Sequence, residues 1–285
     1  MRPKCKLCES LEIVEAYSFR DYQLLKCKKC NLLFTNQAHL PKNLYSQEYF
    51  TKVHPNYFGY CTKDYLNKRS KKVENFTRGI KLIEKYKAPG KILDVGCAIG
   101  VFLDIAKKRG WEVFGVDISH YAVEQAKKNF GIVVKEGELT AVKFSGKKFD
   151  VITMWDFIEH VPDPNKTLSE AWRILKDDGI LFIHTINEDS LMSKLAHLSY
   201  YVSFKKIKKL VQMIHPIHHN FHYSKLTLEA FLRKHNFKVL YQEKSEMPVE
   251  NIEQGITTKC AAFLLYFFSK ILNQQHEIKL VVKKM

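Results

Sequence analysis

From Lys91 onward, short apolar runs alternate with segments whose apolar residues recur at helical spacing. The pattern predicts strands over Ile92–Val95, Glu112–Val116, Ile132–Lys135, Phe149–Met154 and Ile180–Thr185, with helices over Val101–Arg109, His120–Asn129 and Asn165–Leu175 between them. Leu226–His235 reads as a further helix, Phe237–Gln242 as a strand, and Glu277–Lys283 as a last strand placed after an insertion at about 247–275. Strands separated by helices require crossover connections, so an α/β chain with a mainly parallel sheet is expected. Three regions follow: residues 1–35 with two cysteine pairs, a polar, aromatic and lysine-rich stretch 36–90 ending at Pro89-Gly90, and a main domain 91–285.

Composition changes this picture little. The 285 residues are 46% hydrophobic and 27% charged, enough for one full core, and no apolar run approaches the ~20 residues of a membrane span. The start, Met-Arg-Pro-Lys-Cys, lacks a secretory apolar region, so a reducing, cytoplasmic setting is expected. The 46 Lys and Arg against 30 Asp and Glu leave +16, which suits nucleic acid or an anionic membrane surface. The lysines are scattered, however, and a generally basic surface accounts for much of the excess.

The turn after the first strand of the main domain carries the strongest chemistry. Ile92-Leu93-Asp94-Val95-Gly96-Cys97-Ala98-Ile99-Gly100 runs an apolar strand into glycines that open a helix, where backbone approaches a ligand closely. Gly96 and Gly100 are too far apart for G-x-G-x-x-G, which argues against a dinucleotide. Asp94 would repel a pyrophosphate and favour a cationic ligand. Asp117 closes the next strand, about 20 residues on, where an acid takes ribose hydroxyls.

These residues, together with Trp155-Asp156-Phe157-Ile158-Glu159-His160-Val161-Pro162-Asp163-Pro164, resemble the class I S-adenosylmethionine (SAM) dependent methyltransferases that act on small molecules. The resemblance implies a Rossmann-like, seven-stranded, mostly parallel sheet with the last strand antiparallel. It implies that Asp94, Gly96, Cys97 and Gly100 line the methionine part of SAM, and that Asp117 and Ile118 hold the ribose. Glu138 and Leu139 would flank the adenine, and Met154 and Trp155 would sit beneath the sulfonium. Ala98 stands where the family often has its middle glycine. Tyr57-Phe58-Gly59-Tyr60 and Tyr65 resemble the family's aromatic lid, with packing of the linker as the alternative.

Cys5-x2-Cys8 and Cys27-x2-Cys30 have the spacing of a structural zinc site, a zinc ribbon whose four thiolates close a tetrahedron. Such a small module has too few apolar residues to fold without a staple. Disulfides are the alternative, disfavoured in a reducing compartment. Cys61, Cys97 and Cys260 show no pairing pattern.

Methyl transfer needs alignment and, for a hydroxyl acceptor, removal of a proton. Asp156, Glu159 and His160 follow the fourth strand at the ligand-binding edge. His160 is the first choice for general base or substrate orienter, with Glu159 beside it. The same three could gather a divalent cation, as in the similar ubiquinone-pathway O-methyltransferases, or Glu159 and His160 could serve in capping and packing. The cluster His215-Pro216-Ile217-His218-His219-Asn220-Phe221-His222 resembles the family's histidine segment, which makes His219 a second base candidate; pocket lining is expected there rather than metal. Ser190–Ile214 reads as a basic amphipathic helix pair, within a substrate cap at about 190–225 or lying on an anionic membrane. The apolar stretch Cys260–Leu272 is expected to meet core, partner or membrane.

The expected activity is methyl transfer to oxygen or nitrogen of a small molecule, sugar or lipid-linked glycan. An RNA methyltransferase using the zinc ribbon and basic surface is the second reading. The fourth-strand edge lacks the Asn-Pro-Pro-Tyr type of motif that the exocyclic-amine enzymes carry.

Overall fold

A computed structural model describes residues 3–36, 45–51, 71–246 and 256–285. The Tyr57–Tyr60, Tyr65 and Cys61 expectations lie outside these residues. Strands β1 (Ile13–Ser18), β2 (Gln23–Cys27) and β3 (Leu33–Asn36) come first, followed by the short helix α1 (Gln47–Thr51) and by α2 (Lys71–Glu84). The alternating region then gives β4 (Lys91–Val95), α3 (Val101–Lys108), β5 (Glu112–Asp117), α4 (His120–Phe130), β6 (Val134–Glu136), β7 (Phe149–Trp155), α5 (Pro164–Ile174) and β8 (Leu175–Ile186). Helices α6 (Leu191–Val202) and α7 (Lys209–Ile214), β9 (Phe221–His222), α8 (Lys225–Lys234), β10 (Phe237–Ser245), α9 (Ile256–Ile271) and β11 (Glu277–Lys284) complete it.

The large sheet has seven strands in the order β10-β11-β8-β7-β4-β5-β6. Its strands are parallel except β11, which pairs antiparallel with both β8 and β10. This is the sheet expected from the sequence. Helices cover both faces, which is why the central strands are apolar on both sides rather than alternating. Ile92, Val151, Phe182 and Val281 pack with Phe76, Ile80 and Phe102 of α2 and α3. Their chain neighbours Leu93, Ile152, Leu181 and Leu280 pack with Leu168, Leu228 and Phe231 of α5 and α8 on the other face. Strand β8 begins five residues before the expected Ile180, because α5 runs directly into it and Phe149 pairs with Leu175. The Asp177-Asp178-Gly179 turn signal hid that extension.

A second sheet, β1-β2-β3-β9, is antiparallel throughout. Three strands belong to the cysteine module and the fourth is the two-residue β9, with Leu33 opposite His222 and Phe34 opposite Phe221. Nothing in the alternation marks so short a strand. Cys5, Leu7, Cys27 and Leu32 are buried in the same core as α5 and α8, and Asn165 Nδ2 donates to the carbonyl of Lys6 at 2.8 Å. The module is thus welded to the main domain.

Helix α2 closes the sheet over the indole of Trp155. That ring lies 4.9 Å from Phe76, 5.4 Å from Phe102 and 4.7 Å from Phe182, centroid to centroid. The approach depends on Gly79, since a Cβ there would collide with the indole. Gly79→Ala should therefore lower stability by about 1–2 kcal/mol, an overpacking cost that exceeds the ~1 kcal/mol gain of alanine over glycine in a helix. A denaturant titration showing a raised midpoint would contradict this.

Candidate active site

The strand order reverses between β4 and β7, and the crevice outside their carboxyl ends is where an open α/β sheet binds ligands. The turn after β4 is built over the end of β5. The N–H groups of Gly96 and Cys97 both donate to the Val116 carbonyl, at 2.8 and 3.1 Å. Ala98 has φ +48 and Gly100 φ +84, both left-handed, so this is the conformation that makes glycine common there. Ala98 is held in it by its N–H donating to Asp117 Oδ2 at 2.8 Å. Asp117 Oδ1 accepts from Ser119 N at 2.9 Å, so the backbone holds both carboxylate oxygens.

A cavity of about 580 Å³ opens at this crevice, within the ~300–1,000 Å³ of small-molecule sites. Asp94, Gly96, Cys97, Asp117, Ile118, Glu138, Leu139 and Trp155 all line it. Two expected residues are placed elsewhere. Met154 is fully buried in the core beneath, and Gly100 is buried where its α-carbon faces Ala126 of α4. Tyr45, Tyr49 and Phe50 also line the cavity, and the Tyr45 carbonyl accepts from Ser119 Oγ at 2.6 Å.

The walls are strongly acidic. Burial raises the Asp94 carboxyl to about 8, although Thr153 Oγ1 donates to it at 2.7 Å. His184 Nδ1 lies 2.7 Å from Asp156 Oδ1, and its Nε2 lies 3.3 Å from Glu277 Oε2, an ion pair outside hydrogen-bond alignment. Burial opposes the charge on His184, but Asp156 and Glu277 together raise it to about 10, so it is cationic between them. Lys72 of α2 faces Asp156, Glu277 and Asp94, while burial lowers its ammonium to about 8. His184, Glu277 and Lys72 escaped the sequence reading. Only sheet pairing brings Glu277 opposite Ile186 and beside His184, so no local pattern could have found them.

Glu159, His160 and His219 line the same cavity. Glu159 is 2% exposed, and neither carboxylate oxygen is hydrogen-bonded among the described residues. Burial, then the Asp156 charge, raises it to about 8; the neighbouring Thr185 hydroxyl offsets this only in part. His160 Nδ1 lies 3.0 Å from the His218 carbonyl, which fixes it as the donor and leaves Nε2 with the lone pair. Burial lowers the pKa of His160 and, more strongly, of His219. His215, His218, His219 and His222 are all buried, not surface-loop residues. The loop is laced to the post-β7 turn, since Asn220 N donates to the Glu159 carbonyl at 2.8 Å and Asn220 Nδ2 to that of His160 at 2.6 Å. The Asp156, Glu159 and His160 cation group is not assembled; Asp156 instead serves His184.

In the N-terminal module Cys5 Sγ lies 3.5 Å from Cys30 Sγ and Cys8 Sγ 3.5 Å from Cys27 Sγ, with no disulfide, and one sulfur of each of the four falls within 4.8 Å of the others. Four sulfurs at about 2.3 Å from zinc stand about 3.8 Å apart, so the set fits that ion. On the far side, α9 turns Tyr266 to the cavity and Ser269 inward while Phe263, Phe267 and Phe268 are exposed.

A mostly parallel sheet with a small-molecule-sized cavity at its switch point defines an α/β protein with room for a compact ligand at that crevice. The family model described as "Methyltransferase domain" matches residues 65–242, more than half of the chain, and the chain belongs to this methyltransferase family. It is similar to "Ubiquinone biosynthesis O-methyltransferase" of Histophilus somni, 37% identical over 107 residues, covering 34% of this chain and 45% of that protein. The counterpart from Pseudomonas fluorescens is 32% identical over 105 residues, covering 35% and 45%. The match thus spans just under half the length of these curated relatives. Among solved structures, a SAM dependent methyltransferase from Archaeoglobus fulgidus aligns with TM-score 0.54 at 20% identity, over 76% of this chain and 96% of that one. A putative S-adenosylmethionine dependent methyltransferase from Listeria monocytogenes gives 0.54 at 11%, over 75% and 99%. At such identities these two establish the Rossmann-like methyltransferase fold alone.

Proposed function

We propose that this chain transfers the methyl group of SAM to an oxygen or nitrogen of a small-molecule acceptor such as a sugar, a lipid-linked glycan or a phenol like those of the ubiquinone pathway. The observation that carries the proposal is one continuous cavity joining the Asp94, Gly96 and Asp117 crevice to Glu159, His160 and His219. Bound there, SAM supplies a methyl group on a cationic sulfur. Asp117 and Ile118 would take the ribose, Glu138 and Leu139 the adenine end, and Asp94, Gly96 and Cys97 the methionine end. Glu159, His160 and His219 are the groups available to orient the acceptor and remove its proton. The four cysteines would hold a structural zinc, with no position open for chemistry. Exposed Leu198, Val202 and Phe204 beside Lys205 and Lys206 would suit contact with an anionic lipid surface where the acceptor is lipid-linked.

Isothermal titration with SAM, followed by mass spectrometry of metabolite, glycan and RNA fractions for a one-methyl mass increase, tests the proposal. Asp117→Ala should raise the SAM Kd at least about tenfold, the equivalent of about 1.4 kcal/mol. Absence of SAM binding by the wild type, or adducts in RNA alone, would overturn the reading.

A further inference from the structure

Three imidazoles from two distant segments converge at the acceptor end of the cavity. His160 comes from the turn after β7, and His218 and His219 from the loop between α7 and β9. One ring nitrogen of each lies within 4.8 Å of the others. The ring centroids stand 5.3 Å apart for His160 and His218, and 4.7 Å apart for each of the pairs His160–His219 and His218–His219. Metal–nitrogen bonds of about 2.0–2.1 Å in tetrahedral array put imidazole centres about 5 Å apart and their ligand nitrogens about 3.3 Å apart. The ring centres already have that spacing, while the ligand nitrogens, within 4.8 Å of one another, would have to draw closer on a bound ion.

The backbone that carries these rings is fixed independently of them. Thr35 of β3 donates its hydroxyl to the His219 carbonyl and its N–H to the Asn220 carbonyl, and Asn220 ties the loop to the post-β7 turn. His160 donates Nδ1–H to the His218 carbonyl, the outer hydrogen bond that orients metal-bound histidines and raises the basicity of the other nitrogen.

A contrast comes from Glu188, His197 and His215, which also cluster closely. There His215 Nε2 is 2.8 Å from Glu188 and its Nδ1 is 3.1 Å from the Val211 carbonyl. Both nitrogens are engaged, and this group is a satisfied polar core.

We propose that His160, His218 and His219 form a divalent-metal site of the zinc class, with a fourth position open to an oxygen of the acceptor. The site itself stands on these three residues; its role at the acceptor rests on the methyl-transfer reading above. Three nitrogen ligands with an open position make a catalytic rather than a structural set, and a hydroxyl held there loses its proton more readily. The acceptor O–H bond breaks with the proton passing to the Glu159 carboxylate. The oxygen then bonds the methyl carbon, and the electron pair of the carbon–sulfur bond stays on sulfur.

Cobalt(II) titration of the metal-free full chain tests the site. A four-thiolate site gives intense sulfur-to-cobalt absorption, whereas an imidazole site adds only weak visible bands. His218→Ala and His219→Ala should each bind one equivalent fewer than wild type, with the sulfur band unchanged. Equal stoichiometry in wild type and variants overturns the site. Circular dichroism checks folding, and His160→Gln gives the same readout should an alanine variant fail to fold. SAM titration of the same wild-type preparation separates the two readings. Equal cobalt binding with SAM still bound removes the metal alone, whereas a lost imidazole equivalent without SAM binding keeps the metal and removes methyl transfer.

Discussion

Cys27→Ser, or chelation of zinc from the full chain, should lower methyl transfer and thermal stability together. Cys27 ends β2, and β3 follows after the knuckle. Strand β3 holds β9 by the Leu33–His222 and Phe34–Phe221 pairs, and Thr35 accounts for two backbone carbonyls of the histidine loop. From the preceding turn, Tyr22 donates its hydroxyl to the His215 carbonyl at 2.6 Å. Losing the staple would therefore free the segment that carries His218 and His219, although none of the four module cysteines lines the cavity. Structural zinc contributes about 10–16 kcal/mol in isolated peptides. Burial of Leu7 and Leu32 in the main core should retain part of the module's order, so a net loss of about 3 kcal/mol is expected, a fall of roughly 6–12 °C in melting temperature. Activity below the melting transition should fall about tenfold or more while SAM affinity changes little, because Asp117 is held by the N–H groups of Ala98 and Ser119, outside both the module and the histidine loop. Differential scanning calorimetry, zinc release and initial rates on one sample check this. Full activity after complete zinc release would show that the module is an appendage.

The elements legible in the sequence were those set by local physics. Alternating apolar runs and helical periods located the seven strands of the large sheet to within five residues, and the turn at Asp94–Gly100 and the acid at Asp117 pointed to the crevice they line because their spacing is local. The cysteine spacing was equally plain. What the chain could not display was pairing between distant segments. Phe221–His222 is too short to carry a strand signal, and its membership of the cysteine module's sheet depends on β3. Glu277 looks like the polar start of an edge strand, yet the antiparallel entry of β11 beside β8 buries it against His184. The histidine loop shows the same division. The resemblance of the segment implied pocket lining, and only the fold shows that all four histidines are buried and that His160 meets His218 and His219.

Glu159→Gln should act in opposite directions on activity and on alkaline stability. The carboxyl is buried, lacks hydrogen bonds among the described residues and is raised to about 8, first by burial and then by the Asp156 charge. In the unfolded chain Glu159 would ionise near its ordinary value of about 4.3. Between that value and about 8 the folded state keeps a proton that the unfolded state releases, so stability falls as pH rises through this window. The limiting slope is about 1.4 kcal/mol per pH unit, and above pH 8 the accumulated cost is on the order of a few kcal/mol. Glutamine keeps the shape and cannot ionise, so the variant should match wild type at acid pH and exceed it at pH 9. If Glu159 takes the acceptor's proton, kcat should fall about 10²–10⁴-fold. The wild-type rate should rise with pH toward a plateau above about 8, and the variant's residual rate should lack that limb. Urea unfolding at pH 5 and pH 9, run beside the pH-rate profile, reads both effects. A variant that is less stable at pH 9 would mean the carboxylate is paired in the folded state, and one that keeps the wild-type rate and limb would assign proton removal to another group.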